Sequence, residues 1–374
     1  MSEPTAEAAR AAATLTIDLD AIAENYRRLK GRLTGADCAA VVKADAYGLG
    51  AAQVAPVLAQ AGARSFFVAQ LDEAIALRKI LDRVSPAPSI HVLNGLMAGA
   101  EAEYLAHALL PVLNSLGEID AWRALAAERD TALAAAVHID TGMNRLGLPA
   151  DELAVIAADH GRLDGITPTS LLSHLACAEE RDNPMNAAQL AAFTAACARL
   201  PAAPASLANS SGIFLGPDYH FDLARPGVAL YGVNPTPNTT NPMAQVVRLQ
   251  GKILQVRTID APQSVGYGAT HRVAGPTRIA TLGVGYADGY LRSLSSRGHA
   301  FIGNWRVAVV GRVSMDLITL DVTSVPPESA RPGVLVDLID PETGLDTLAG
   351  EAGTIGYELL TALGRRYHRA YLGG

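Results

Sequence analysis

Cysteine is scarce in this chain of 374 residues. Its three thiols, Cys38, Cys177 and Cys197, are widely separated and match neither a disulfide framework nor a metal-ligand spacing. That usage suits a reducing compartment, so the expected location is cytoplasmic. No apolar run approaches the ~18 residues of a membrane-spanning helix. The opening MSEPTAEAARAAATL lacks a basic stretch followed by an apolar core, so it does not read as a signal peptide; residues 1–13 are expected to be a flexible tail. Basic charge is also short, with 30 Lys and Arg against 37 Asp and Glu, net −7, and no basic stripe. This excludes a nucleic-acid partner on electrostatic grounds. A glycine-rich phosphate loop, low-complexity tracts and short repeats are absent. What is present is an apolar fraction of 49% against 18% charged residues, enough to build one large packed domain and a smaller one.

Through residue 232, short apolar runs alternate with amphipathic stretches. Strands are predicted at 38–43, 65–70, 89–94, 110–114, 134–140, 169–174, 205–209 and 228–232. Helices are predicted between them, at 51–61, 72–81, 116–127, 151–160 and 186–199. Strand–helix alternation implies βαβ units and a parallel sheet. Eight such units in roughly 230 residues suit a (β/α)8 barrel, with a doubly wound sheet as the alternative. The texture then changes. Residues 234–242, NPTPNTTNP, form a polar, proline-rich linker. Beyond it lie β-like runs at 245–259, 278–282, 306–310, 317–322 and 334–339, and helical periodicity returns at 357–371. The expected fold class is therefore α/β plus β: a barrel over 14–242 and a mainly β domain over 243–374.

In VVKADAYGLG (41–50), Lys43 ends an apolar run and precedes a glycine-containing turn. A lysine at a strand end is ordinarily solvated. Behind a buried strand it loses hydration, its pKa falls and it becomes a usable nucleophile. The carboxyl end of a barrel strand is also where this fold carries its chemistry. The segment resembles the signature around the cofactor lysine of alanine racemases. The likeness continues in order through HIDTGMNRLG (138–147), SHLA (173–176), ANSSG (208–212), ARPGVALYG (224–232), VGYGAT (265–270), GVGYADGY (283–290), GRVSMD (311–316) and IGYELL (355–360). It spans about Leu15 to Tyr371. It implies a barrel that binds pyridoxal 5'-phosphate (PLP), a C-terminal β domain, alanine as the small-molecule substrate, and a homodimer whose active sites draw on both subunits.

Racemisation removes the Cα proton from one face of an amino acid and returns one on the other, so it needs a base on each. By the resemblance, Lys43 holds PLP covalently and serves one face; Tyr267 of the partner subunit serves the other. An ordinary phenol releases its proton only near pH ~10, so such a base needs help, and the resemblance supplies it through hydrogen bonds to His174 and Arg225. Arg225 is placed against the ring nitrogen of PLP; a donor-only side chain leaves that nitrogen unprotonated and weakens the electron sink. Arg145 is the carboxylate clamp, its planar fork suiting two oxygens, assisted by the backbone N–H of Met315. Tyr47, Asn209, Ser210, Gly227, Val228 and Tyr357 are implied around the cofactor, and Tyr286 and Asp316 around the entrance. No metal is implied.

One position departs from the pattern. Many members of the family carry a lysine, commonly carbamylated, seven residues before the clamp arginine, and its negative charge orients that arginine. Here the residue is His138, which cannot supply such a charge near neutrality. A bound anion, another carboxylate or neutral hydrogen bonding must hold Arg145 instead. The competing readings are a racemase of another amino acid such as serine, a decarboxylase of related architecture, and a non-catalytic PLP-binding protein. Arg225 and the VGYGAT block argue for racemisation.

Overall fold

The computed structural model describes residues 6–260, 262–340 and 344–374. It divides into a unit of residues 22–244 and a unit formed by 1–21 together with 245–374.

The first unit is the predicted barrel. Its strands run in sequence order: Asp37–Cys38 continuing as Ala40–Val41, then Ser65–Val68, Ser89–Val92, Leu110–Leu113, Leu133–His138, Ile166–Leu172 and Ala205–Ser206, each parallel to the next from Ala40–Val41 on, and last Leu223–Ala224. Closure comes at the last strand. It pairs with Asp37–Cys38, while the N–H groups of Asp222 and Arg225 donate to the carbonyls of Ala205 (3.0 Å) and Ala208 (2.8 Å). The strands are short and apolar because both faces are covered, by helices outside and by barrel side chains inside. Phe66, Phe67, Ile90, Val92, Val112 and Val137 are fully or almost fully buried.

Two expectations in this unit are corrected. The eighth strand is Leu223–Ala224; residues 228–232 form instead a 3-10 turn, Val228–Tyr231, closed by Gly232 at φ 87°. A short apolar run reads alike for a buried strand and a buried turn, and all four residues of this turn are buried. The barrel also does not begin at residue 14. Strand Ala13–Asp18, with its alternating burial, pairs antiparallel with Val247–Ile259 and parallel with His368–Leu372, inside the β unit. Residues 6–10 of the expected tail are helical; residues 1–5 lie outside the described residues.

The β unit contains the expected strands as Val247–Ile259, Thr277–Leu282, Trp305–Ala308, Ile318–Asp321 and Leu335–Ile339. The helical stretch expected over 357–371 stops early. Helix Gly356–Ala362 is followed by a turn and the strand His368–Leu372. A further helix, Gly344–Ala352, went unread in the sequence.

Candidate active site

The barrel's predicted site residues all fall at or beyond the carboxyl ends of its strands. Lys43 follows Ala40–Val41, His138 closes Leu133–His138, and His174 follows Ile166–Leu172. Asn209 and Ser210 follow Ala205–Ser206, and Arg225 follows Leu223–Ala224.

After Lys43 the chain turns through four consecutive non-glycine residues, Ala44 to Tyr47, each at φ 54°. Left-handed backbone costs an L residue roughly 1–2 kcal/mol, so the surroundings must hold it. Glu73 does this from the start of helix Leu71–Ile80: one carboxylate oxygen accepts the Ala44 N–H (2.5 Å) and the other those of Ala69 (2.9 Å) and Gln70 (3.0 Å). Gly48 N–H to Ala44 O (2.7 Å) and Ala51 N–H to Asp45 Oδ1 (2.8 Å) complete the turn. Glu73 was not singled out in the sequence, where it carries only the signal of an acidic residue in the first turn of a helix. The Lys43 amine is shifted down by burial and by the Arg145 charge, against the opposing effect of Glu73.

Arg225 is buried, and no carboxylate pairs with it among the described residues. Its guanidinium donates to the Ser206 hydroxyl and, at 2.5 Å, to the Ser173 carbonyl; Ser206 in turn donates to Leu223 O (2.5 Å). Burial pulls the Arg225 pKa down to about 10. No hydrogen bond joins Arg225 to His174 among the described residues, and Ser206 and Ser173 take only two of its five N–H donors. His174 is held neutral, its pKa pushed down to about 3 by burial and by the charges of Arg225, Arg145 and Lys43.

A small cradle lies between Tyr47, Ser210 and Gly227. The Tyr47 ring packs on Tyr231 at 4.8 Å, and the Tyr231 hydroxyl is anchored to Val41 O at 2.9 Å. A Cβ on Gly227 would collide with the Tyr47 hydroxyl, so only glycine fits there. The Ser210 oxygen accepts the N–H groups of Gly227 (3.0 Å) and Ala229 (3.2 Å). Its own proton has no acceptor among the described residues, which leaves it for a bound oxyanion. Val228 opens the 3-10 turn beside this cradle. Asn209 is a local support: its Oδ1 accepts Gly212 N–H at 2.8 Å.

Arg145 is exposed in the loop after His138 and makes no ion pair or hydrogen bond among the described residues. Asp140 shapes that loop, its Oδ1 accepting the N–H groups of Gly142 and Met143, each at 2.9 Å. His138 Nδ1 lies 2.7 Å from Asn114 Oδ1, while Asn114 Nδ2 donates to Val112 O (2.8 Å) and Leu93 O (3.3 Å). With its donors spent on carbonyls, Asn114 offers only an acceptor, so the histidine carries its proton on Nδ1 and a lone pair on Nε2. The ring's Cδ2 lies against the loop that carries Arg145: a Cβ on Gly147 would sit 3.1 Å from it. The His138 pKa is pushed down to about 4 by burial and the charge of Arg225, Asp140 acting in the opposite sense.

In the β unit, Tyr267 stands on the tip between strands Gln263–Val265 and His271–Val273, flanked by Gly266 (φ 76°) and Gly268 (φ 72°). It is 72% exposed. Met315 is exposed as well, and its N–H has no partner among the described residues, although its carbonyl accepts Ala287 N–H at 3.0 Å. Tyr286 is exposed, and Tyr357 is half-buried on helix Gly356–Ala362.

A parallel barrel with a desolvated lysine at the carboxyl end of its first strand, within the field of Arg145, and with a polar cradle at the same barrel end, is the layout of an enzyme that handles an anionic ligand through an amine. Comparison with known proteins narrows this. Residues 17–235 match the family model of the alanine racemase N-terminal domain and residues 246–371 that of its C-terminal domain. An alanine racemase of Rhodospirillum rubrum is 56% identical over 97% of each chain. A catabolic alanine racemase of Mesorhizobium japonicum is 52% identical over 99% of this chain and 96% of its own. The crystal structure of alanine racemase from Bartonella henselae, with covalently bound pyridoxal phosphate, superposes with a TM-score of 0.93 at 41% identity, covering 97% of this chain and all of the other. The chain belongs to the alanine racemase family.

Proposed function

We propose that this chain interconverts L- and D-alanine by a two-base reaction on PLP held by Lys43. One observation carries the proposal. In a chain of net charge −7, the carboxyl end of the barrel gathers Lys43, Arg145 and Arg225 with no carboxylate paired to either arginine among the described residues, beside a cradle whose free donor is the Ser210 hydroxyl. Such a site fits a ligand pair bearing a phosphate and a carboxylate. Bound PLP supplies the electron-withdrawing ring that makes the Cα–H of an attached amino acid acidic.

The chain supplies the rest. Tyr47, Ser210, Gly227 and Val228 would hold the phosphate, with Asn209 bracing the Ser210 turn; the resemblance adds Tyr357 to that set. Arg225 stays protonated and would donate to the ring nitrogen through an N–H that Ser206 and Ser173 leave free, limiting how far charge is withdrawn. Arg145 binds the substrate carboxylate, assisted by Met315 of the partner subunit. The Lys43 amine takes or returns the proton at Cα on one face, and Tyr267 of the partner subunit does so on the other. This sharing implies a working homodimer, a reading supported by the exposure of Tyr267 and Met315 in their own chain.

D-alanine made this way supplies cell-wall peptidoglycan; the likeness to a catabolic alanine racemase supports a second, catabolic role. A D-alanine requirement on deletion of the gene separates the two. The unpaired thiols suit a cytoplasmic setting, and no helix among the described residues is long and apolar enough to cross a membrane.

The test of the activity is a panel of L-amino acids with added PLP, read by chiral analysis and by deuterium uptake at Cα. Alanine is expected to dominate. A higher kcat/KM for serine would give the enzyme to the other substrate. PLP binding without Cα exchange would make the chain a binding protein.

A further inference from the structure

The loop carrying Met315 is fastened in a way that the roles above do not use. The carbonyls of Ser314 and Met315 accept the N–H groups of Tyr286 and Ala287, each at 3.0 Å, and Ser314 N–H donates to Leu317 O at 3.0 Å. Gly285 admits this contact because it lacks a side chain; a Cβ there would run into the Met315 backbone. Upstream, Val313 N–H donates to Ser295 Oγ (3.0 Å), and Arg312 lies beside the Tyr267 tip, 2.8 Å from where a Cβ on Gly268 would stand. At the downstream end sits Arg366. Its Nε is 2.7 Å from Asp288 Oδ1 and its Nη1 2.7 Å from Asp316 Oδ1. Asp288 is buried, and its Oδ2 accepts Gly285 N–H at 2.9 Å. The turn that presents Arg366 is itself tied down, Gly364 N–H donating to Asp288 O at 2.9 Å.

One planar guanidinium thus spans two carboxylates on two separate segments, the 285–289 turn and the residue directly after Met315. We propose that Arg366 is a positioning residue for substrate binding: it holds Asp316, and through it aims the Met315 N–H. The inference rests on the reading of that N–H as a carboxylate donor. Fork geometry matters here, because a lysine ammonium can neutralise Asp288 but cannot hold both carboxylates in fixed planes.

The test uses the PLP-loaded full chain and two readouts: KM against kcat for L-alanine, and the Kd of propionate, alanine without its amine, followed by its perturbation of cofactor absorbance. Arg366→Lys keeps a cation at buried Asp288, and Asp316→Asn cuts the exposed arm alone; each is expected to raise KM and the propionate Kd about three- to tenfold, with kcat within about threefold. The double variant is expected to be no worse than the more severe single, since both remove one contact. Unchanged KM and Kd in both variants would overturn the proposal, as would loss of melting temperature or PLP content with binding unaltered. Met315→Pro, which deletes the N–H itself, separates the two layers. If it folds and leaves KM and Kd unmoved, the Met315 reading fails and takes the inference with it. If it raises them while Arg366→Lys and Asp316→Asn do not, the Met315 reading stands and the role of Arg366 falls.

Discussion

Arg225 and Ser210 of the barrel and Tyr267 and Met315 of the β unit stand in opposite states. In the barrel, Arg225 and Ser210 are 5% and 3% exposed and each is held by several partners. In the β unit, Tyr267 and Met315 are 72% and 53% exposed, and neither the tyrosine hydroxyl nor the methionine N–H is hydrogen-bonded among the described residues. Buried groups are organised by their own fold, whereas exposed ones on a glycine-flanked tip or a braced loop are organised toward something outside it. The barrel half of the site is therefore expected to bind cofactor by itself. Tyr267 and Met315 are expected to act through a second copy, the first on turnover and the second on substrate binding.

The sharpest way to break that contrast is Lys43→Ala. Losing the barrel lysine is expected to abolish covalent cofactor attachment and to cut racemisation by ~10³-fold or more. Borohydride should fix PLP on Lys43 in the parent protein; finding it on Lys252 instead would end the argument for this site.

Tyr267→Phe is expected to be nearly as severe for turnover, ~10²–10⁴-fold, yet to leave the cofactor absorbance intact. Mixing it with Lys43→Ala under conditions of subunit exchange should restore activity, because one hybrid site then holds both bases. No recovery despite verified exchange would place both bases in one chain and dissolve the contrast.

A smaller effect should appear in the barrel's acid stability. His91, His138 and His174 are held neutral, with pKa values near 3, 4 and 3, chiefly by burial, against ~6.5 in an unfolded chain. The unfolded state therefore takes up protons that the folded state refuses. Stability is fully present above pH ~6.5 and falls as the pH drops from there toward 4, by up to ~1.4 kcal/mol per histidine per pH unit. Proton uptake on unfolding at pH 5, measured by calorimetry in two buffers, should approach three from these groups. His91→Phe, which keeps the stack on Phe67, should remove about one; no change would mean that His91 is charged in the fold.

The smallest expected effect concerns His138. A neutral imidazole fixed by Asn114 forms no stable carbamate, so bicarbonate depletion should leave the parent rate within about twofold, while His138→Lys should introduce sensitivity. A strong bicarbonate dependence in the parent would contradict the neutral assignment. Exchanging chloride for a large, weakly binding anion at constant ionic strength asks whether an ion also stands beside Arg145.

Alternation of strand and helix, the change of texture after residue 232, and the position of Lys43 behind an apolar strand were all legible in the chain, because period and burial are local properties. So was the order of motif blocks that placed Arg145, Arg225 and Tyr267. Tertiary structure decided what depends on distant partners. Ala13–Asp18 joined the β unit because its alternating face pairs with strands more than two hundred residues away. Residues 228–232 form a buried turn ending on left-handed Gly232 rather than a strand, a choice that an apolar run alone does not reveal. Glu73 at the Lys43 turn, Asn114 behind His138, Ser206 beneath Arg225 and Arg366 across two aspartates leave no pattern in sequence. Each acts through a hydrogen bond to a residue far along the chain, and only folding sets that distance.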